Sequence, residues 1–290
     1  MTFHRPKTLK EALHILRDYS GNAVQYAGGT DLWPRWSRGV SGTPEVLVDL
    51  KRVEGLNGVR RSDGRLVVGA CTTMAEVSTN GDVLNVAPAL ALAAGRVACP
   101  QVRNRATIGG NLCNASPAAD TAIPLTLLDA TVELGSLDLR GGVVTRELPV
   151  TEFFRGPGTT AVLPGEVLTC VRFEPPAEHA YVAWDKFGTR PAMEIAVASV
   201  GVAVRMSGGS VTWARVGYGS VAPVPLRGCG AEAALVGRPL SVEVIAGCER
   251  AARTEVSPIS DVRASEAYRR EVVGVMLRRM LTRAGHDGNN

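Results

Sequence analysis

The chain has 290 residues, 45% of them hydrophobic, and this length favours two domains that each bury a core. No apolar run approaches the about 18 residues that cross a bilayer, and the N-terminus lacks an export signal, so we expect a cytoplasmic protein without a membrane span. The formal net charge is only +4, and basic residues are interleaved with acidic ones, which argues against binding to nucleic acid.

The first half of the chain predicts alternating helices and strands. A capping box at Thr8 and Glu11 begins an amphipathic helix whose apolar positions follow the three-four spacing. Apolar runs at residues 23–27, 46–50 and 66–70 predict buried strands, and residues 87–94 predict a helix with proline in its first turn. A hairpin is expected around residues 137–148, with Gly141 and Gly142 at its turn.

The second half predicts a hairpin followed by helices. Residues 175 and 176 are consecutive prolines and are typical of a linker. Residues 198–206 and 211–218 predict two strands, and helices are expected near residues 231–236, 242–253 and 265–283. We expect the last helix to present its arginines, 269, 270, 278 and 279, as a solvated face or subunit contact, before a disordered tail at 286–290. Its expected buried residues are Tyr268, Val272, Val275, Met276 and Met280.

Two glycine pairs are the main functional signal. Gly28 and Gly29 follow the strand expected at residues 23–27, and Gly109 and Gly110 lie in the polar segment 107–120. Glycine permits positive φ, so adjacent backbone N–H groups can converge on an anion. Flanking hydrogen-bonding groups suited to phosphate or ribityl oxygens are Thr30, Thr107 and Asn111. One glycine pair is more typical of a tight turn, but two pairs predict a cradle for one long ligand.

Other motifs narrow the range of functions. Asp120 is a candidate acceptor for a sugar hydroxyl, or a cap for the helix expected at residues 121–128. Residues 217–222 match a loose dinucleotide fingerprint, but Pro223 and Pro225 exclude the helix that such a site needs. The six cysteines are scattered without a Cys-x-x-Cys pair, so no metal site is expected. No histidine lies in a glycine motif, and we assign no catalytic residue.

Residues 25–32 and 101–120 together resemble the FAD-binding medium subunit of molybdenum hydroxylases, the xanthine dehydrogenase and carbon monoxide dehydrogenase group. Residues 257–270 resemble the signature of that family's C-terminal domain. The resemblance implies an α+β fold. A two-part FAD-binding domain, of the PCMH or vanillyl-alcohol oxidase-like type, is expected at residues 1–175 with an internal boundary near residue 55. A smaller α+β domain with an antiparallel sheet and helices is expected at residues 176–285.

The resemblance also implies which residues contact FAD. Lys186 matches a lysine that approaches the flavin ring from the C-terminal domain, where a cation stabilises negative charge on the reduced ring. Val97 and Leu163 are expected to contribute apolar surface or backbone contacts. The full set of expected FAD-binding residues is Gln25, Tyr26, Ala27, Gly28, Gly29, Thr30, Asp31, Leu32, Val97, Thr107, Ile108, Gly109, Gly110, Asn111, Asp120, Leu163 and Lys186.

By the same resemblance, the chain is the FAD-carrying electron-transfer subunit of a heteromeric molybdenum hydroxylase. Its expected partners are a large molybdopterin-binding subunit and a small subunit with two 2Fe–2S clusters, arranged as a dimer of heterotrimers. Electrons from the clusters are expected to leave through this chain to NAD, oxygen or another acceptor. Two alternatives remain open. One is a stand-alone FAD-dependent oxidase or dehydrogenase, which Cys113 could serve as a covalent tether, and the other is a cofactor-less scaffold, which the intact glycine pairs disfavour.

Overall fold

The computed structural model describes residues 1–176, 179–190 and 193–287. Its first elements are β1 (Thr2–His4), α1 (Leu9–Asp18), β2 (Ala23–Tyr26), α2 (Leu32–Ser37) and β3 (Val46–Asp49). The three strands form a parallel sheet in the order β1-β3-β2. The predicted capping box begins α1, because the hydroxyl of Thr8 accepts from Glu11 N–H and the Glu11 carboxylate accepts from Thr8 N–H.

A short 3-10 helix, Leu50–Arg52, leads into the second group of elements. These elements are β4 (Val59–Ser62), β5 (Arg65–Gly69), α3 (Met74–Thr79), α4 (Gly81–Val86), α5 (Pro88–Gly95), α6 (Pro100–Arg103), α7 (Ile108–Cys113), α8 (Ala122–Leu127), β6 (Thr131–Leu137), β7 (Val143–Pro149), α9 (Val150–Phe153), β8 (Phe154–Gly156), β9 (Thr159–Thr160) and β10 (Val167–Phe173). Five strands form an antiparallel sheet in the order β4-β5-β10-β6-β7, while β8 and β9 pair separately. Apolar residues of this sheet and of its helices share one large core.

The third group of elements has its own antiparallel sheet and core. It contains β11 (Tyr181–Phe187), β12 (Ala198–Ser207), β13 (Ser210–Gly219), β14 (Leu226–Arg227), α10 (Cys229–Leu235), α11 (Val242–Glu255) and α12 (Glu266–Asp287). The strand order is β11-β12-β13-β14. The three helices contribute buried residues to a core on this sheet, so the α+β class and the C-terminal antiparallel sheet are confirmed.

Helix α8 of the second group packs on the C-terminal sheet, where glycines of β12 and β13 leave room for its side chains. Gly201 and Gly217 pair across β12 and β13, and a Cβ on Gly201 would lie 2.8 Å from Leu127 Cδ1 and 2.9 Å from Ile123 Cγ2. Ile123 also limits the space at Gly219. The glycines of the rejected dinucleotide fingerprint therefore let α8 pack closely on the sheet, and no helix follows β13 directly.

The buried face of helix α12 lies about one residue later than expected, although Met280 is buried as predicted and Val272 and Met276 pack against the core. Tyr268 is 48% exposed, whereas Arg269 is buried. The Arg269 guanidinium donates to the carbonyls of Val197 (2.6 Å) and Ser220 (3.0 Å) and to the Asp261 carboxylate (2.7 Å). The expectation that Arg269 belongs to a solvated face is therefore wrong. The buried apolar residues that follow it are Val273, Leu277, Met280, Leu281 and Ala284.

The remaining element predictions agree with the structure except at the C-terminus. His286 and Asp287 continue α12, although a disordered tail was expected there, and residues 288–290 lie outside the described residues. Within the described ranges, none of the helices combines the length and the apolarity that crossing a membrane requires.

Candidate functional site

The first glycine pair sits in a tight passage between β2 and α2. A Cβ on Gly28 would lie 2.2 Å from the carbonyl oxygen of Arg105, closer than any real side chain is found. Gly29 has φ of +72°, and a Cβ there would lie 2.3 Å from the ring of Tyr26. Only glycine fits at these two positions, because one faces another backbone segment and the other adopts the left-handed region.

The backbone amides of this passage are unpaired. Among the described residues, the N–H groups of residues 28–31 donate to no protein acceptor, and the hydroxyl of Thr30 has no partner. The carbonyl of Gly29 is used, since it accepts from Trp33 N–H at 3.1 Å. Successive free N–H groups form a concave donor surface of the kind that binds phosphate oxygens.

The second glycine pair has a different conformation from the one expected. Gly109 and Gly110 lie inside helix α7, and neither has a positive φ. Their N–H groups are already used, because Gly109 donates to Ala70 O at 2.8 Å and Gly110 donates to the Thr107 hydroxyl at 3.1 Å. The expectation that these amides converge on an anion is therefore wrong. Gly109 is required for packing instead, since its Cβ would lie 2.7 Å from Ala70 Cβ.

Both glycine motifs face one cavity of about 510 Å³, within the size range of small-molecule sites. Asn111 contributes a side-chain amide whose oxygen accepts from Thr121 Oγ1 at 2.6 Å, leaving its NH₂ group for a ligand. The predicted site residues that line this cavity are Gln25, Tyr26, Ala27, Gly28, Gly29, Thr30, Asp31, Leu32, Val97, Thr107, Gly109, Gly110, Asn111 and Asp120.

Three predicted site residues do not line the cavity. Ile108 is fully buried in the large core, and Leu163 is 58% exposed. Lys186 is not part of the lining, but it is paired with Asp120, which is. The loop of Leu163 is nevertheless tied to the site, because Leu163 N–H donates to the Glu166 carboxylate and the carbonyl of Glu166 accepts from Gln25 Nε2 at 2.6 Å.

Tyr26 forms a wall of the cavity and is held by cationic and aromatic neighbours. Its hydroxyl accepts from Arg105 Nη2 at 2.9 Å and from Trp33 Nε1 at 3.5 Å. The Lys51 ammonium lies 4.5 Å from the centre of its ring. Burial opposes ionisation of the phenol, but the Trp33 hydrogen bond and the charges of Lys51 and Arg105 together lower its pKa.

Asp120 does not cap the following helix, so that interpretation is wrong. Thr121 is the N-cap of α8, and no side chain caps the helix. The Asp120 carboxylate instead accepts from Lys186 Nζ at 2.7 Å, and 8% of Asp120 is exposed. Burial raises its pKa, while Lys186 and Arg96 oppose that shift. The side chain forms part of the cavity wall and keeps acceptor capacity for a ligand hydroxyl.

Several cavity residues were not found from the sequence. Arg35 brings a cation from α2, one helical turn beyond Asp31, and that spacing was a usable signal. Burial raises the pKa of Asp31, and the charge of Arg35 opposes this shift. Glu194 comes from the segment before β12, and no sequence motif indicated it. In the described part of the chain, no histidine lines the cavity and no cluster of residues suits a metal ion.

Comparisons with known proteins agree with this geometry. Residues 1–175 match the family described as "FAD binding domain in molybdopterin dehydrogenase", and residues 184–284 match "CO dehydrogenase flavoprotein C-terminal domain". The chain is 32% identical to the xanthine dehydrogenase FAD-binding subunit of Escherichia coli O157:H7, covering 98% of this chain and 95% of that one. It is 34% identical to the nicotinate dehydrogenase FAD-subunit of Eubacterium barkeri, covering 93% and 91%.

Among solved structures, reconstituted CO dehydrogenase from Oligotropha carboxidovorans contains a chain with a TM-score of 0.92 to this one. The sequence identity is 32%, and the alignment covers 99% of this chain and 98% of that chain. The similarity therefore extends over all three groups of elements and over the cavity, not over one motif alone.

Proposed function

Because the chain belongs to the family of FAD-binding medium subunits of molybdenum hydroxylases, we propose that it is the electron-transfer subunit of such a complex. In this role it receives electrons from the 2Fe–2S clusters of a small partner subunit. It passes them to NAD, oxygen or another acceptor, while a large molybdopterin-binding subunit hydroxylates the substrate. We propose a dimer of heterotrimers as the assembly.

The observation that carries this proposal is a single cavity lined by unpaired backbone amides and by side chains that can accept hydrogen bonds from hydroxyl groups. The N–H groups of residues 28–31 bind the diphosphate of FAD, and Thr30 adds a hydroxyl donor. Asn111 and Asp120 accept or donate hydrogen bonds along the sugar-alcohol chain. Bound FAD supplies the redox chemistry, since a flavin exchanges either one or two electrons.

The side chains around the cavity support electron transfer rather than oxidation of an organic substrate by this chain. A flavoenzyme that oxidises a substrate normally places a base beside it. The described lining offers no histidine, and of its carboxylates Asp120 and Glu194 lie beside the cations Lys186 and Arg96. The third, Asp31, has a pKa that burial raises. The chain's own part in the reaction is therefore to bind the cofactor.

The proposal is tested on the protein purified from its native host. We expect flavin absorption bands with additional iron–sulfur absorbance, and three polypeptides on a denaturing gel. Native mass measurement should give twice the mass of one heterotrimer. A single yellow polypeptide that oxidises a substrate unaided would contradict the electron-transfer role.

One observation favours a stand-alone flavoenzyme as a second candidate: Cys113 lines the cavity and could tether a flavin. Its side chain is exposed to the cavity, and the surrounding walls desolvate the thiol and raise its pKa, which disfavours the thiolate that such a reaction needs. Acid precipitation distinguishes the two candidates, because flavin colour stays with the pellet only if the cofactor is covalently attached.

A further inference from the structure

The cavity that both glycine motifs face has one basic side chain among the described residues of its lining, that of Arg35. Arg35 lies in α2, one helical turn after Asp31, and its N–H donates to the Asp31 carbonyl at 3.2 Å. Its guanidinium makes no hydrogen bond or ion pair with any residue in the described part of the chain. This cation is therefore available to a ligand in the cavity.

Two other arginines near the cavity are held by protein groups. Arg105 Nη2 donates to the Tyr26 hydroxyl at 2.9 Å, and Arg103 Nη1 donates to the carbonyl of Val97 at 3.0 Å. Tyr26 and Val97 line the cavity, so these two guanidiniums support its wall. Arg35 differs from both of them, because it belongs to the lining itself and its guanidinium has no acceptor among the described residues.

The charges of the lining favour a role for this cation toward an anionic ligand. The described lining contains three carboxylates, those of Asp31, Asp120 and Glu194. Asp120 and Glu194 are accompanied by cations of their own, whereas the charge of Arg35 acts on Asp31. A diphosphate adds negative charge to this space, and backbone N–H groups offset it only with partial charges. Arg35 supplies the one full positive charge of the described lining.

The position of Arg35 favours the diphosphate over the other parts of FAD. Residues four apart on a helix lie on the same side, so Arg35 lies on the side of Asp31, the last residue of the passage with unpaired N–H groups. A guanidinium donates two parallel hydrogen bonds, a geometry that matches phosphate oxygens better than a sugar hydroxyl. The passage and Arg35 together therefore offer neutral and charged donors to one group.

We infer that Arg35 is a further FAD-binding residue, whose guanidinium pairs with the diphosphate beside the unpaired N–H groups of residues 28–31. This inference rests on the proposed function. It adds a charged side chain to a phosphate site that otherwise consists of backbone amides and the hydroxyl of Thr30. Because salt screens an exposed ion pair, it also makes the affinity for FAD depend on ionic strength.

The test is a titration of the flavin-free full-length chain with FAD, followed by flavin fluorescence, at about 0.05 M and about 0.5 M salt. Arg35→Gln should weaken binding by about tenfold at the lower salt concentration. The difference from wild type should shrink at the higher concentration, because salt has already weakened the wild-type ion pair. The melting temperature of the flavin-free variant should equal that of wild type, since the guanidinium has no partner among the described residues.

Two matched variants separate a contact with the ligand from a general effect of charge. Arg38→Gln removes the same charge three residues later, at the C-cap of α2 and outside the cavity lining. It should leave the affinity for FAD within about twofold of wild type at both salt concentrations. Arg35→Lys keeps the charge but loses the planar fork, so its loss should be smaller than that of Arg35→Gln.

A double variant shows whether Arg35 acts on the ligand or only on its neighbour Asp31. If the guanidinium pairs with the diphosphate, Arg35→Gln should still weaken FAD binding by about tenfold in an Asp31→Asn background. If the guanidinium only neutralises the Asp31 carboxylate, the same change should have no effect there.

Three results overturn the inference while leaving the proposed function intact. They are an Arg35→Gln variant that binds FAD as tightly as wild type at the lower salt concentration, equal losses in Arg35→Gln and Arg38→Gln, and a loss that disappears in the Asp31→Asn background. A wild-type chain that binds no FAD at either salt concentration would instead contradict the proposed function.

Discussion

The two glycine motifs are alike in sequence and unlike in structure. Gly28 and Gly29 lie in a non-helical passage whose amides are unpaired, and Gly29 has φ of +72°. Gly109 and Gly110 lie in a helix, and their amides donate to Ala70 and Thr107. A glycine pair therefore predicts close approach to the backbone, but it does not tell whether a ligand or the protein itself approaches.

The two motifs also support each other. Gly28 packs against the carbonyl of Arg105, two residues before Thr107, and Met74 N–H donates to Ala106 O at 2.8 Å. The second motif and the segment before it therefore form the platform on which the first motif rests. We conclude that the first motif binds the ligand and the second builds the site, and the following predictions test that division.

The largest effect is expected for Gly28→Ala. The added Cβ would lie 2.2 Å from the Arg105 carbonyl, so two backbone segments must separate. We expect a loss of about 3 kcal/mol in the free energy of unfolding, together with loss of bound flavin. Gly42→Ala is the control, because nothing lies within 4 Å of its added Cβ. Urea unfolding that is equal for the two variants would show that the motifs do not pack together.

A smaller effect is expected within the second motif. Gly109→Ala should cost about 1–2 kcal/mol, because the methyl group meets Ala70. Gly110→Ala places its Cβ 2.9 Å from the Thr107 hydroxyl, but it gains about 1 kcal/mol of helix propensity. Its unfolding free energy should stay within about 0.5 kcal/mol of wild type. If the order of these two variants is reversed, packing against Ala70 does not explain Gly109.

An effect at the lower end of the range given for Gly109→Ala is expected for Tyr26→Phe in the first motif. This change leaves the Arg105 and Trp33 donors without their acceptor but keeps the aromatic wall. We expect a cost of about 1 kcal/mol in stability and a loss of FAD affinity below about tenfold. Isothermal titration at one pH measures the affinity, and a variant that loses flavin entirely would mean that the phenol contacts the cofactor directly.

Much of the fold was predictable because its signals are local. The capping box of α1, the proline that begins α5 and the Ser-Gly-Gly-Ser turn between β12 and β13 each act within a few residues. The phase of α12 was not predictable, because Arg269 turns inward to carbonyls of Val197 and Ser220 that are far away in sequence. Apolar periodicity alone cannot predict that an arginine is buried.

The residues of the candidate site likewise divide into those that local sequence signals predict and those that depend on distant contacts. Fourteen expected residues line the cavity because they occupy two continuous segments or, like Val97 and Asp120, lie near one. The position of Lys186 depends on how the C-terminal sheet packs on α5 and α8, which no local pattern specifies. The glycine conformations of the second motif also depended on a distant contact, the one with Ala70.

The most direct test of this account compares two threonines, one in each motif. Thr30 has no protein partner, whereas the Thr107 hydroxyl caps α7. Thr30→Val should weaken FAD binding by about tenfold and leave the melting temperature of the flavin-free chain unchanged. Thr107→Val should lower the stability of the flavin-free chain by about 1 kcal/mol with little change in FAD affinity. Equal loss of affinity in both variants, with no loss of stability in Thr107→Val, would contradict the division between a binding motif and a building motif.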